Sequence, residues 1–471
     1  MPRLLRRQTI WLSGLATVRS MNASSSLGDT PPPAPVSFAQ ASLFWLKLGF
    51  VSFGGPAGQI AIMHTELVER RRWISEQRFL HALNYCMVLP GPEAQQLATY
   101  IGWLMHKTRG ALVAGGLFVL PSLFMLIALS WLYIAWGDMP VVAGIFYGIK
   151  PAVTAIVLQA AHRIGSRALK NNGLWAVAAA SFVAIFAADV PFPVIVISAA
   201  VTGYLWGHWR PRDFQTGAEH RASQQRHGPA LIDDDTPTPA HARFSWLGFS
   251  KVLGVGALLW ALPMAWLITM LGWDHTLTQM GWFFTKAALL TFGGAYAVLP
   301  YVYQGAVGYY GWLTPTQMMD GLALGETTPG PLIMVVAFVG FLGGYVQALF
   351  GPESLFLAGA VAATLVTWFT FLPSFVFILA GGPLVESTHQ VLRLTAPLTA
   401  ITAAVVGVIV NLALLLGYHV LWPQGFSGRV DWACVAIALT AAVALFRYQR
   451  PVMQVIAGSG LAGWVITLAR G

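Results

Sequence analysis

The sequence predicts an all-α integral membrane protein of about 13 transmembrane helices, arranged as two homologous halves in an inverted repeat. Of its 471 residues 56% are hydrophobic and 10% charged, where a soluble domain carries about 25% charged residues. The apolar residues fall in spans of roughly 20, long enough to cross ~30 Å of hydrocarbon as a helix, without the sustained alternation of a lipid-facing barrel. The chain also repeats itself, residues 44–92 lying over 283–331 at one constant offset. In register are Lys47 with Lys286, Phe53-Gly54-Gly55 with Phe292-Gly293-Gly294, Trp73 with Trp312, and Pro90-Gly91-Pro92 with Pro329-Gly330-Pro331.

Residues 1–40 are rich in Arg, Ser and Pro and read as a disordered cytosolic tail, with Met21 as an alternative start. The first repeat, 41–207, carries spans near 41–62, 80–104, 111–135, 140–161, 174–188 and 190–207. Residues 208–245, with five arginines, the run Asp233-Asp234-Asp235 and several prolines, read as a solvated cytoplasmic linker. The second repeat, 246–471, has one extra leading helix at 246–271, then spans near 283–303, 320–347, 354–380, 395–418, 432–447 and 451–469. "LPS" recurs at 120–122 and 372–374, after an insertion near 347–358.

The net charge of +9 comes from short basic clusters between apolar spans. Such clusters set topology and do not indicate nucleic acid. With the amino terminus inside, the basic loops fall on the cytoplasmic side except 64–78, "HTELVERRRWISEQR". Either that segment lies outside with its ions paired, or the first span is re-entrant. Seven spans separate the starts of the repeats, an odd number, so the second enters from the opposite face. Inverted repeats are a signature of secondary transporters.

The glycine and proline motifs should break their helices, because proline lacks an N–H and clashes with the preceding turn. Broken helices persist in lipid only where protein or a water-filled cavity satisfies the freed groups. After each break a half-helix begins, and its first N–H groups and dipole favour anions. The candidate substrate site is therefore Gly54, Gly55, Pro90, Gly91 and Pro92 with Gly293, Gly294, Pro329, Gly330 and Pro331. Ser52, Thr291, Gln95 and Thr328 are its hydrogen-bonding candidates, and Lys47, Lys286 and Lys150 its counter-charges.

Glu93 follows the first Pro-Gly-Pro and Glu326 precedes the second. Carboxylates in apolar surroundings can exchange protons, which makes both candidates for proton coupling. Capping of a half-helix is the alternative role for Glu93. Trp73 and Trp312 read as interfacial anchors. The two cysteines fall in apolar spans, the histidines lack metal-ligand spacing, and no phosphate loop or nucleophile elbow occurs. No catalytic residue, metal or cofactor is expected, and an enzyme is not.

"FWLKLGFVSFGGPAGQIAIM", "ERRRWISEQRFLHALNYCMVLPGPEAQQLATYIG", "GIKPAV", "LTFGGAYAVLP" and "GETTPGPLIMVVAFVGF" together resemble the chromate ion transporter family in its two-domain long-chain form. The resemblance implies a multi-pass protein of the bacterial inner membrane that exports chromate and confers chromate resistance, with two halves of opposite orientation. A dianion suits half-helix N-termini and cations, and requires Glu93 and Glu326 to be neutral, capped or withdrawn when it is bound. Alternatives are a carrier for sulfate or small organic anions and, more remotely, an intramembrane enzyme acting on a lipid carrier. A homodimer is a candidate assembly.

Overall fold

A computed structural model describes residues 33–214, 228–237, 239–388 and 395–470. Most of the N-terminal tail, linker residues 215–227 with Arg221 and Arg226, and Arg393 lie outside the described residues. The described residues form helices and connecting turns without a strand, and an isolated β-bridge joins Ile74 to Ile232. Seven helices are long and apolar enough to cross a membrane.

Each half opens with two helices that break near their middles. α1 (Phe38–Val51) and α2 (Gly55–His64) flank the first Gly-Gly, while α3 (Glu76–Val88) and α4 (Glu93–Trp136) flank the first Pro-Gly-Pro. At 14 residues α1 spans about 21 Å, short of the ~30 Å of hydrocarbon. α4 is itself two limbs: His106 and Lys107 leave helical geometry, with Lys107 at φ +56°, and the chain doubles back. The limbs touch backbone to backbone at Gly102 and Gly110, where any side chain would collide. α5 (Pro140–Ala168), α6 (Asn172–Ala188) and α7 (Phe192–Trp209) complete the half.

α8 (Trp246–Leu271) follows the linker. Its exposed Leu247, Leu258, Leu262 and Trp266 form a lipid-facing surface. The second half then repeats the scheme: α9 (Thr276–Leu290) and α10 (Ala295–Tyr303), α11 (Pro315–Thr327) and α12 (Val335–Val346), then α13 (Leu355–Thr388), α14 (Thr395–Leu421), α15 (Trp432–Phe446) and α16 (Val452–Arg470). The predicted insertion lengthens the turn between α12 and α13, the counterpart of the turn inside α4.

The repeat holds down to single hydrogen bonds. Trp73 N–H donates to Leu67 C=O and Trp312 N–H to Ala306 C=O, both at 2.7 Å, each just past a short stretch of π-helix. Arg72 and Gly311, one repeat apart, both have left-handed φ, +53° and +63°. Ser75 caps α3 and Thr314 caps α11. Thus "GYYGW" and "ERRRW" build the same turn, although only Trp is shared.

Two ends of the bundle can be told apart by their contacts. Linker residues 231–236 lie along 72–78: Leu231 N–H donates to Arg72 C=O (2.9 Å), Ile232 N–H to Trp73 C=O (3.0 Å) and Ser75 N–H to Ile232 C=O (3.0 Å). His241 Nε2 meets Trp103 C=O at 3.0 Å, and Phe38, where α1 begins, packs edge-on against His106. Both breaks of the first half therefore lie between helices that start and finish at the linker end. The pairs α1–α2 and α3–first limb of α4 are re-entrant and do not cross. By the same reasoning α9–α10 and α11–α12 enter from and return to the far end, where Gln304 accepts from Phe192 N–H (3.2 Å) and Gln347 bonds Thr276.

This lowers the number of crossings from the predicted thirteen. Among the described residues nine segments connect the two ends, the second limb of α4, α5 to α8, and α13 to α16, of which α6 and α15, at 17 and 15 residues, are shorter than the seven helices long enough to cross by themselves. Hydropathy cannot separate a span from two half-helices that return to one face, because both are apolar over the same length. Five crossings, still an odd number, separate the two starts, and α8 supplies the one that inverts the second half. The basic segment 64–78 then shares a face with the linker and no longer opposes the charge rule. The described part of the linker is packed, with Ile232 and Ala242 buried, so it is not wholly solvated. Trp73 and Trp312 are buried too: Trp73 packs against Phe44 and the Arg71 guanidinium, Trp312 stacks on Tyr310, and neither is an interfacial anchor.

Candidate functional site

The breaks of the two halves cross at the centre. Gly91 N–H donates to Thr291 C=O (2.7 Å), and Gly330 N–H donates to Ser52 C=O (2.8 Å). Each Pro-Gly-Pro thus satisfies a carbonyl freed by the other half's Gly-Gly break. Gln59, buried on α2, donates from its amide to both Ser52 C=O and Gly330 C=O. The "LPS" serines brace the same crossing: Ser122 Oγ donates to Pro329 C=O, and Ser374 Oγ accepts from Gln96 Nε2 (3.4 Å), which also donates to Pro90 C=O (2.8 Å). Gly91 and Gly330 have φ of +125° and +100°, a region open to glycine and strained for other residues.

Two cavities open beside this crossing. The first, about 740 Å³, is lined by Pro56 and Ala57 at the start of α2, by Gly293, Gly294 and Tyr296 at the start of α10, and by Glu93, Arg163 and Arg167. It continues past Lys170, Asn171 and Asp213 at the linker end. The second, about 820 Å³, is lined by Phe53 and Gly54, by Gln159, His162, Arg163 and Ser166 of α5, by Glu326, and by Arg450 between α15 and α16. Each cavity reaches one Gly-Gly break, and Arg163 lies on the wall of both. Neither Gly54 nor Gly294 caps its half-helix with a side chain, so the leading N–H groups of α2 and α10 are open to a ligand.

The expected residues separate into four groups. Gly54, Gly293, Gly294, Glu93 and Glu326 line the cavities, and Gly55 leads into the first turn of α2. Ser52, Thr291, Pro90, Gly91, Pro92, Pro329, Gly330 and Pro331 build the crossing. Gln95 donates to Thr99 Oγ1 (3.0 Å) and Thr328 Oγ1 donates to Gly325 C=O (3.2 Å), both local bonds, and neither residue lines these two cavities. The lysines lie elsewhere. Lys47 is exposed on the face of α1 opposite its buried Phe44, Trp45 and Leu48; Lys286 sits over the Trp282 ring at 5.6 Å; Lys150 pairs with buried Asp320 at 3.5 Å. The structure therefore removes Lys47 and Lys286 from the cavity lining, because helix phase turns them outward.

Arg163 and Arg167 take their place as cations, having been read from sequence only as topology markers. The signal was their spacing of four on the last turns of α5, which sets them on one face. Tyr296 was also missed, and its hydroxyl donates to Glu326. One repeat earlier the corresponding positions are Ala57 and Met87, so this pair belongs to the second half alone. Among the described residues no cluster of potential metal ligands occurs.

The profile of the chromate transporter family matches residues 39–204 and 278–464, which contain both sets of breaks and most of the crossing helices. The chain belongs to the chromate transporter family. A chromate transport protein of Pseudomonas aeruginosa is 33% identical over 95% of this chain and 97% of its own length. One of Cupriavidus metallidurans is 26% identical over 94% and 96%, and a probable chromate transport protein of Synechococcus elongatus is 27% identical over 84% and 88%. No solved structure matches. As a chromate transporter family member this is a multi-pass membrane transport protein, and the profile gap at 205–277 takes in the linker and α8, the elements outside the repeat.

Proposed function

We propose that the protein exports chromate across the bacterial inner membrane, with its amino terminus and linker in the cytoplasm, and so confers chromate resistance. One observation carries this beyond the family: the crossed breaks open toward the linker end through cavities lined by Arg163, Arg167 and Arg450 and by open half-helix N-termini. This is a cationic entrance for a cytoplasmic oxyanion, and the inside-negative potential then favours its exit, by about 2.3 kcal/mol per charge per 100 mV. Glu93 and Glu326, one in each cavity, are the proton-coupling candidates. Sulfate, tetrahedral and doubly charged like chromate, is the natural competitor.

Chromate uptake into everted vesicles tests the reading. Expression of the chain should give uptake dependent on the membrane potential and competed by excess sulfate. Vesicles that take up no more chromate than those lacking the protein refute it.

A further inference from the structure

Arg163 is distinguished from every other cation near the crossing. It lies on a membrane-spanning helix, borders both cavities, and has no ion-pair partner within 4 Å among the described residues. By contrast Lys150 is engaged by Asp320, and Arg78 by Glu386. The Arg163 guanidinium is free to make charge-assisted hydrogen bonds to an anion entering either cavity. Glu326 lines the second of these cavities together with Arg163 and is 9% exposed. Tyr296, hydrogen-bonded to Glu326, lines the other cavity.

We propose that Arg163 is the residue that binds the transported tetrahedral dianion, and that the Glu326 carboxylate competes with that anion for its guanidinium. The inference rests on the reading of this vestibule as the substrate path, and adds which residue holds the substrate and what regulates it. An ionised Glu326 both attracts Arg163 and repels the dianion, whereas a protonated Glu326 does neither. Anion binding and protonation of Glu326 therefore favour one another. The other titratable or charged groups facing Glu326 are His162 on α5, Tyr296 on α10, and Arg450 between α15 and α16; α12, α14 and α16 before its last turn bring none to this cavity.

The test is equilibrium binding of sulfate and, in parallel, chromate to the purified full chain in detergent. Sulfate keeps its charge between about pH 6 and pH 8, so any pH dependence belongs to the protein. In the wild type sulfate should bind more tightly at the lower pH. Arg163→Ala should weaken both anions by about tenfold or more, the scale of one charge-assisted contact, and Arg163→Lys should recover part of that. Glu326→Gln should bind at the higher pH as the wild type does at the lower. If Arg163→Ala is not monodisperse, Arg163→Gln replaces it. Wild-type affinity in an Arg163 variant overturns the assignment, an unaltered pH dependence in Glu326→Gln overturns the competition, and absence of binding of either anion overturns both. Preference for sulfate with an Arg163 requirement instead counts against chromate as substrate and in favour of this site.

Discussion

The crossing of the breaks can be tested at Gly330. A Cβ added there would overlap Ser122 Oγ and stand 3.0 Å from Ser122 Cβ, on a backbone held at φ +100°. The conformation alone costs a non-glycine residue about 1–3 kcal/mol, and overpacking a dense contact adds about 1–3 kcal/mol. Gly55 gives the control, since it has φ +69° but nothing within 4 Å of its added Cβ. Gly330→Ala should therefore destabilise the protein by roughly 2–6 kcal/mol, and Gly55→Ala by only the backbone part. Adding Ser122→Ala removes the overlapping oxygen, so the double variant should be more stable than the sum of the singles requires, with a coupling of about 0.5–3 kcal/mol. Denaturant unfolding of the purified protein in detergent measures all four proteins. Equal losses for Gly330→Ala and Gly55→Ala, or strict additivity with Ser122→Ala, would refute the cross-bracing.

Other consequences follow from the same contacts. Arg78 on α3 binds Glu386 of α13 at 3.2 Å, and Glu386, 5% exposed, also accepts from Tyr100 at 2.6 Å; Arg78→Ala should cost about 3–5 kcal/mol by leaving a buried charge half-paired, read in the same unfolding assay. Arg71→Cys and Glu353→Cys, both at exposed positions, should react with an impermeant maleimide from opposite faces of the membrane, whereas labelling from one face refutes the re-entrant pairs. Cys86 and Cys434 are buried and should give little background. Ile232→Ala should loosen the linker from residues 72–78 at a cost of about 2–5 kcal/mol, seen as faster proteolysis of the linker; unchanged cleavage would mean that the bridge does not hold it.

Composition and repetition made much of this architecture readable in advance. The apolar spans, the two halves and the break motifs are local properties of the chain. A Pro-Gly-Pro cannot continue a helix whatever surrounds it, so the positions of all four breaks were legible. Parity survived as well, because the re-entrant pairs counted as spans before the second repeat number two, and removing an even number leaves the count odd.

What the sequence alone could not determine was direction and partnership. Whether a half-helix continues across the bilayer or returns depends on what receives its freed backbone groups, and here the receiver is the other half: Thr291 for Gly91, Ser52 for Gly330. The lysines show the same limit. Lys47 and Lys286 are in register and carry the right charge, but helix phase and neighbouring contacts turn them away from the cavities. Arg163 looked like one more cytoplasmic charge and lies on the wall of both cavities, because α5 runs beside both breaks. The sequence by itself determined an apolar, duplicated, broken-helix chain, since each of those features is set by residues close together. Only the tertiary structure decided which face each break returns to and which cation meets the cavities, since both depend on contacts between residues of the two halves 200 or more positions apart.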